Sequence, residues 1–412
     1  MPIRKKAKQM AWLLTLVYFA SYITRINFAV MMVKICSEMQ VEKTALAGIV
    51  TALTVAYGSG QIISGYIGDK IHPQHIITFG LGLTSLCNLV MSACTSIPLM
   101  TVVWGVNGFA QAMLWPPIVR IMSLYLTNDE YGYSAVRVSW GSSFATISLY
   151  LVCPLLLFVM SWRVIMILCA LVSIGVAAVW LLLNPRLFST PQEKTPKGEP
   201  APQAPANLPL PKFVYFPIVL VILGIVLQGI LRDGVTNWMP FYLQETFHIP
   251  EENAIICTVI LAIFSIISFA FFDWMLRKLL RNEVFCSAVI FGAAAICAAL
   301  LYLVNVLSAS IVLSMLLMAC IVAFMHGINF MLIVVVPKRF VKSGKVSTFS
   351  GLLNAFTYIG AAISAYGFAL LSDAFGWNVT ILSWIAVTVV GLAVCLGAAP
   401  GWKRFCREYA DD

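Results

Sequence analysis

Residues 212–243 read KFVYFPIVLVILGIVLQGILRDGVTNWMPFYL, and no charged side chain stands between Lys212 and Arg232. A helix needs about 20 apolar residues to cross the hydrocarbon core of a bilayer. This stretch supplies them, then places an arginine and an aspartate inside the run. The rest of the chain has the same character. Of 412 residues, 61% are hydrophobic and 10% charged. A soluble protein is nearer half apolar and a quarter charged. There is too little polar surface here to coat a globule in water, so the apolar excess requires a lipid solvent.

Twelve runs are long enough to span. They cover about 10–35, 46–68, 75–95, 98–126, 133–159, 162–184, 212–243, 253–276, 284–305, 308–336, 346–372 and 377–399. The expected fold is therefore an all-α membrane protein with twelve transmembrane helices. The run from Met10 to Ile35 is too long for a signal-peptide core and lacks a small-x-small exit, so it is expected to be the first membrane helix. Residues 185–211 hold eight of the nineteen prolines with scattered charges. Such a segment cannot bury a core and reads as an extended cytoplasmic linker. It divides an N-terminal six-helix bundle (1–184) from a C-terminal bundle with a short tail (212–412).

Lysine and arginine set the orientation. With both termini cytoplasmic, 19 basic residues fall inside, from Arg4, Lys5 and Lys70 to Lys345 and Arg407, and only Lys34, Lys43 and Arg163 outside. The expected location is the cell (inner) membrane. The net charge of +9 does not point to nucleic acid, because the basic residues sit in short gaps between apolar runs. The eleven cysteines include Cys87, Cys169, Cys297 and Cys320 inside apolar runs, without paired spacing. They read as small buried hydrophobes, not as disulfides or metal ligands. No metal or other cofactor is expected.

The two halves echo each other. Arg25 answers Arg232 at an offset of 207; Asp69-Lys70 answers Asp273, followed by Arg277-Lys278, near 204; Ser161-Trp162-Arg163 answers Gly376-Trp377-Asn378 at 215. Three pairs in order, at nearly the same offset, point to duplication of a six-helix unit. Parallel repeats of that kind carry substrate near the midplane.

Four arginines, Arg25, Arg120, Arg137 and Arg232, lie within or at the margins of spans. An arginine at a helix centre costs about 2.5–3.5 kcal/mol on insertion scales and faces a wet cavity or a partner. Asp233 is the one acidic residue deep in a span, and residues i and i+1 of a helix point in different directions. The deep positive charge is thus expected to be undercompensated, with an anionic ligand as its missing partner. A guanidinium fork suits carboxylate or phosphate oxygens. Arg137 and Arg120 also admit a bland reading, in which they bind backbone carbonyls or snorkel. Helical spacing adds neighbours. Tyr18, Tyr22 and Arg25 share one face. So do Tyr57 and Gln61, Gln228 and Arg232, His326 and Asn329, and Asn354 and Tyr358. Each group supplies donors for an oxygen-rich solute, or hydrogen bonds between helices.

At these residues the chain resembles the organophosphate:phosphate antiporter family of the major facilitator superfamily. Tyr22-Ile-Thr-Arg25-Ile-Asn27-Phe28 is similar to its span 1 pattern, and Trp115-Pro116-Pro117-Ile-Val-Arg120 to its span 4 motif. Leu231-Arg232-Asp-Gly234-Val-Thr-Asn-Trp238-Met-Pro240-Phe-Tyr242-Leu243 is similar to its span 7 signature. Gly65-Tyr-Ile-Gly-Asp69-Lys70 matches the loop motif of the whole superfamily. The resemblance implies two pseudo-symmetric six-helix bundles that rock to exchange a phosphate ester for inorganic phosphate across the bilayer; two halves suffice for one pathway, so a monomer is expected. It implies substrate contacts by Arg25 and Arg232, and cavity positions for Tyr18, Tyr22, Tyr57, Trp115 and Trp140.

The chain departs from the pattern at Gln61, where the glycerol-phosphate and hexose-phosphate members have a lysine. It departs again at Phe144, where the glycerol-phosphate member has a histidine. With fewer positive charges, a monoanion or carboxylate fits as well as a phosphate ester. Organic-acid symporters of the anion:cation type share a span 1 arginine and form one alternative. Receptors for sugar phosphate within the same family form another.

Alternating access assigns gate contacts to Asp69, Lys70, Asp273 and Arg277. The candidates for proton coupling are Asp233 and His326, and exchange needs neither. No His-Glu-x-x-His, Gly-x-Ser-x-Gly or Walker sequence is present, so an enzyme or an ATP-driven pump is not expected.

Overall fold

The computed structural model describes residues 3–41, 43–188, 208–250, 254, 256–307 and 310–410. Most of the proline-rich linker, residues 189–207, lies outside the described residues. Every regular element among the described residues is helical. In lipid each backbone N–H and C=O must be satisfied within the protein, and a helix does so within one segment.

Eleven helical stretches are long and apolar enough to cross a membrane. The last, Val346–Tyr409, is two helices joined end to end. Gly376 breaks it with φ 75° and ψ 179°, a region that only glycine enters without strain. Among the described residues the count is therefore twelve, the number of apolar runs in the sequence.

The chain divides into two compact units. The first comprises Met1–Leu208 and Phe340–Ala355; the second comprises Pro209–Arg339 and Phe356–Asp412. In the first unit, α1 (Lys5–Val30) is followed by a short α2 (Met32–Met39). Then come α3 (Lys43–Lys70), α4 (Pro73–Ala93), α5 (Ile97–Ala112), α6 (Trp115–Tyr125), α7 (Asn128–Leu157) and α8 (Trp162–Leu187). The run expected as one span over 98–126 is one membrane-length stretch, Ile97–Tyr125, broken locally between α5 and α6. Pro116 and Pro117 sit in the first turn of α6, where the missing N–H groups cost nothing, and their rings bar continuation from α5. Helix α1 packs on α7 and α8, α3 on α5, and α4 on α5 and α8.

In the second unit, α9 (Tyr215–Phe247), α10 (Val259–Met275) and α11 (Glu283–Val306) all pack against α12 (Ile311–Asn329). Helix α12 continues through a wider turn over Phe330–Val335 and a tighter one over Val336–Phe340, which holds Pro337. The merged stretch Val346–Phe405 supplies α13 over 346–375 and α14 over 377–405. The N-terminal turns of α13 belong to the first unit and the remainder to the second. In the first unit, Gly351 of α13 lies against the Gln61 carbonyl of α3, where a Cβ would collide with it. Absence of a side chain is what lets the two backbones approach.

Candidate functional site

In the first unit, α1 and α3 build an aromatic cradle around Arg25. Tyr18 and Tyr22, one turn apart, meet edge to face at 5.1 Å. The Arg25 guanidinium lies 4.2 Å from the centre of the Tyr22 ring and 4.7 Å from that of Tyr57. Trp115, at the start of α6, meets Tyr18 at 4.9 Å. The Tyr57 hydroxyl takes a hydrogen bond from Arg25 and another from Asn354 Nδ2 at 3.3 Å. Cation–π contact is worth about 0.5–2 kcal/mol per ring, more as water is excluded. It uses the faces of the guanidinium, whereas an oxyanion takes the N–H groups in its plane. Arg25 is half-buried, and Trp115 Nε1 is buried with no hydrogen-bond partner among the described residues.

A polar lattice holds α1 where Arg25 leaves it. The Thr24 carbonyl accepts from Asn88 Nδ2 (2.9 Å) and Asn107 Nδ2 (3.0 Å). Gln111 Nε2 donates to the hydroxyls of Thr24 (3.0 Å) and Thr84 (2.7 Å), and Gln111 Oε1 accepts from Ser21 (2.5 Å). Asn27 Nδ2 donates to Asn88 Oδ1 at 2.8 Å. All seven residues are buried. Buried polar groups are costly unless bonded, and here the bonds run from α1 to α4 and α5. Sequence reasoning missed this lattice. Its signal was present as Thr84 and Asn88, and Asn107 and Gln111, each four residues apart inside an apolar run.

Arg232 of α9 differs from the expectation. Its Nε and Nη2 donate to Asp233 Oδ1 and Oδ2, both at 2.8 Å. The expectation that neighbours i and i+1 diverge holds for their Cβ atoms. It neglected the length of arginine, which lets the guanidinium swing round the helix to its neighbour. Arg232 is thus compensated within the protein. The ring of His326, on α12, meets Phe269 edge-on at 5.7 Å.

Two expected site residues are buried and reach backbone carbonyls of neighbouring helices. Gln61 and Gln228 are fully buried; Gln61 Nε2 points to the Ala112 carbonyl (3.5 Å) and Gln228 Nε2 donates to that of Met325 (3.1 Å). Both Oε1 atoms are buried without a hydrogen-bond partner. Trp140 lies 5.5 Å from the Arg137 guanidinium, which rests 3.3 Å from the Tyr133 ring and donates to the Tyr133 carbonyl. Tyr358 is half-buried on α13, one turn beyond Asn354. Arg120 binds the carbonyls of Gly68 and Ile71 and sits 4.0 Å from Asp69.

The residues assigned to gates fall into two arrangements. Asp69 Oδ1 and Oδ2 accept from the amides of Ser347 and Thr348, both at 2.8 Å. These are free amides of the first turn of α13, where the helix dipole favours an anion. Lys70 Nζ bonds the Tyr66 hydroxyl and lies over its ring. In the second unit Asp273 of α10 pairs with Arg277, four residues on in the wider turn over Leu276–Leu280, at 2.9 Å.

Residues 14–365 match the family model described as Major Facilitator Superfamily. A probable hexose phosphate transport protein of Chlamydia pneumoniae is 24% identical over 417 residues, covering 94% of this chain and 89% of that one. The glycerol-3-phosphate transporter of Bacillus subtilis is 24% identical over 402 residues, covering 92% and 89%. In fold, the chain is similar to the proton:xylose symporter XylE, with a TM-score of 0.72 at 12% identity, over 95% of this chain and 94% of that one.

Proposed function

The chain belongs to the Major Facilitator Superfamily, and from that premise we propose that it is a secondary transporter of a small organic anion, with phosphate esters as the leading class. Arg25 carries the reading: its guanidinium lies against the Tyr22 and Tyr57 rings, on a helix braced by a buried lattice, and a guanidinium is a group suited to an oxyanion. The similarity to two phosphate-ester transporters over nearly the whole chain supports the ester. Arg232, at the matching place in the second half, is the second contact, with Tyr18, Tyr22, Tyr57, Trp115 and Asn354 around the first. The carrier works by alternating access as a monomer in the cell (inner) membrane, with both termini in the cytoplasm. It exchanges its substrate for inorganic phosphate, which needs no titrating group. The Arg232–Asp233 pair favours a second reading, an organic-acid carrier, because it lowers the positive charge offered to the guest.

Counterflow in proteoliposomes tests the proposal. Liposomes loaded with glycerol-3-phosphate or phosphate should take up the labelled ester, and Arg25→Ala should abolish the uptake. Ligand-induced thermal stabilisation without any flux would make the protein a receptor. Uptake that strictly requires a proton gradient and is lost in Asp233→Asn would make it a symporter.

A further inference from the structure

Cys297 and Cys320 stand on α11 and α12, which pack on one another within the second unit. Cys297 lies ten residues before Leu307, which closes α11, and Cys320 ten residues after Ser310, which opens α12. Two consecutive helices running back on each other therefore bring them level. At about 1.5 Å per residue both sit about 15 Å from the turn, near the middle of a hydrocarbon core about 30 Å thick. The two thiols share a hydrogen bond. Ala294, Ala298 and Ala319 beside them are buried, and side chains this small let helices approach closely. Both cysteines are free thiols and partly exposed. Leu300, one turn from Cys297, and Leu316, one turn from Cys320, are 46% and 39% exposed, so this side of the helix pair faces lipid.

We propose that Cys297 and Cys320 form an oxidisable dithiol, and that a lipid-soluble quinone closes it to a disulfide. The two S–H bonds break and one S–S bond forms. The two electrons and two protons pass to the quinone, whose carbonyl oxygens become the hydroxyls of a quinol. Neighbouring thiols favour this outcome, because the second sulfur completes the bond before the first is oxidised further. Position selects the oxidant. A charged disulfide such as oxidised glutathione stays in water, where it cannot reach a sulfur at mid-bilayer depth. A quinone dissolves in the hydrocarbon that the pair faces. The product staples α11 to α12, and α12 packs in turn on α9. The pair escapes a reading by spacing because its members belong to different spans. The inference is independent of which solute the chain carries.

The test uses the full-length protein in proteoliposomes, in the absence of oxygen. Duroquinone is the probe, because its ring is fully methylated and offers a thiol no position to add to. After incubation the protein is denatured in an alkylating agent and its peptides are weighed. In the wild type, the peptides of Cys297 and Cys320 should appear joined and lighter by two hydrogen atoms, with one quinol formed per joined pair. Joined peptides from any other two cysteines should be at least about tenfold rarer, and oxidised glutathione should join the pair at least about tenfold more slowly. Cys297→Ser and Cys320→Ser should each abolish the joined peptide and its share of the quinol. Serine is close to cysteine in size and keeps a hydroxyl for the shared bond, and thermal unfolding checks that each variant is folded.

The proposal is overturned if both thiols are alkylated after duroquinone treatment. It is also overturned if oxidised glutathione joins the pair as fast, since the thiols would then be reached from water. Equal yields from other cysteine pairs would show unselective oxidation and overturn it too. Copper–phenanthroline separates the failures. A pair joined by that reagent and not by duroquinone is close enough to close but is no quinone target. A pair joined by neither is held too far apart to close at all.

Discussion

Each unit carries an arginine in its first long helix, and the two are stabilised by different physics. In the first unit, Arg25 rests on tyrosine faces and its helix is tied down by buried amides and hydroxyls of α4 and α5. In the second, Arg232 is met by a carboxylate on its own helix. The surroundings differ in the same direction. The five spans that precede α8 are all less apolar than any span of the second unit. A cradle of rings and hydrogen bonds fixes a cation without cancelling its charge. A carboxylate cancels the charge and leaves the position to one helix. The first unit thus orients its arginine with rings and hydrogen bonds, and the second with a carboxylate on the same helix.

Arg25→Ala should have the largest consequence, a fall in counterflow of about 100-fold or more, as expected for loss of a charge-assisted bidentate contact. Flux within about threefold of wild type would break the comparison at its root. Stability should show the next effect. Asn88→Ala removes two donated bonds and one accepted bond and should cost about 2 kcal/mol, since such bonds in membrane proteins average about 0.6 kcal/mol and an orphaned partner adds to the loss. In the second unit Ser314→Ala removes a single 3.3 Å bond to Tyr242 and should cost about 0.5 kcal/mol. Equal losses in thermal unfolding of the purified variants would show the two units to be held alike.

Gly351→Ala should cost about 1–2 kcal/mol by forcing α13 away from the Gln61 carbonyl, read in the same unfolding assay. The smallest contrast lies between the two carboxylates assigned to gates. Asp69→Asn should cost about 1 kcal/mol, because it weakens a charge at a helix N-terminus. Asp273→Asn, in an i,i+4 pair with 29% and 17% of the side chains exposed, should cost about 0.3 kcal/mol. A larger effect at Asp273 would invert the order.

The spans were legible because lipid leaves an apolar run of this length with helix as its only solution. The face formed by Tyr18, Tyr22 and Arg25 was legible because helical spacing fixes it. What escaped notice depends on side-chain reach and on distant partners. The Arg232–Asp233 pair was set aside by a rule about Cβ directions, although arginine is long enough to defeat that rule. Gln61 and Gln228 looked like cavity donors by spacing, yet their amides serve neighbouring helices. The lattice around Thr24 was invisible because its members come from three separate runs. Each asparagine or glutamine, taken alone, is one polar residue in an apolar context. The break between α5 and α6 was written in Pro116-Pro117, and a count of apolar residues passes over it.

The lattice has a bearing on how the chain is made. Helix α1 precedes its partners, since Thr84 and Asn88 lie in α4 and Asn107 and Gln111 in α5. Until residues near 111 have emerged from the ribosome, α1 holds Arg25, Thr24 and Asn27 with their later partners still unmade. A helix in that condition gains little from contact with lipid tails. Its residence in the bilayer is provisional until three more spans, the last two of them carrying its partners, have arrived to complete it.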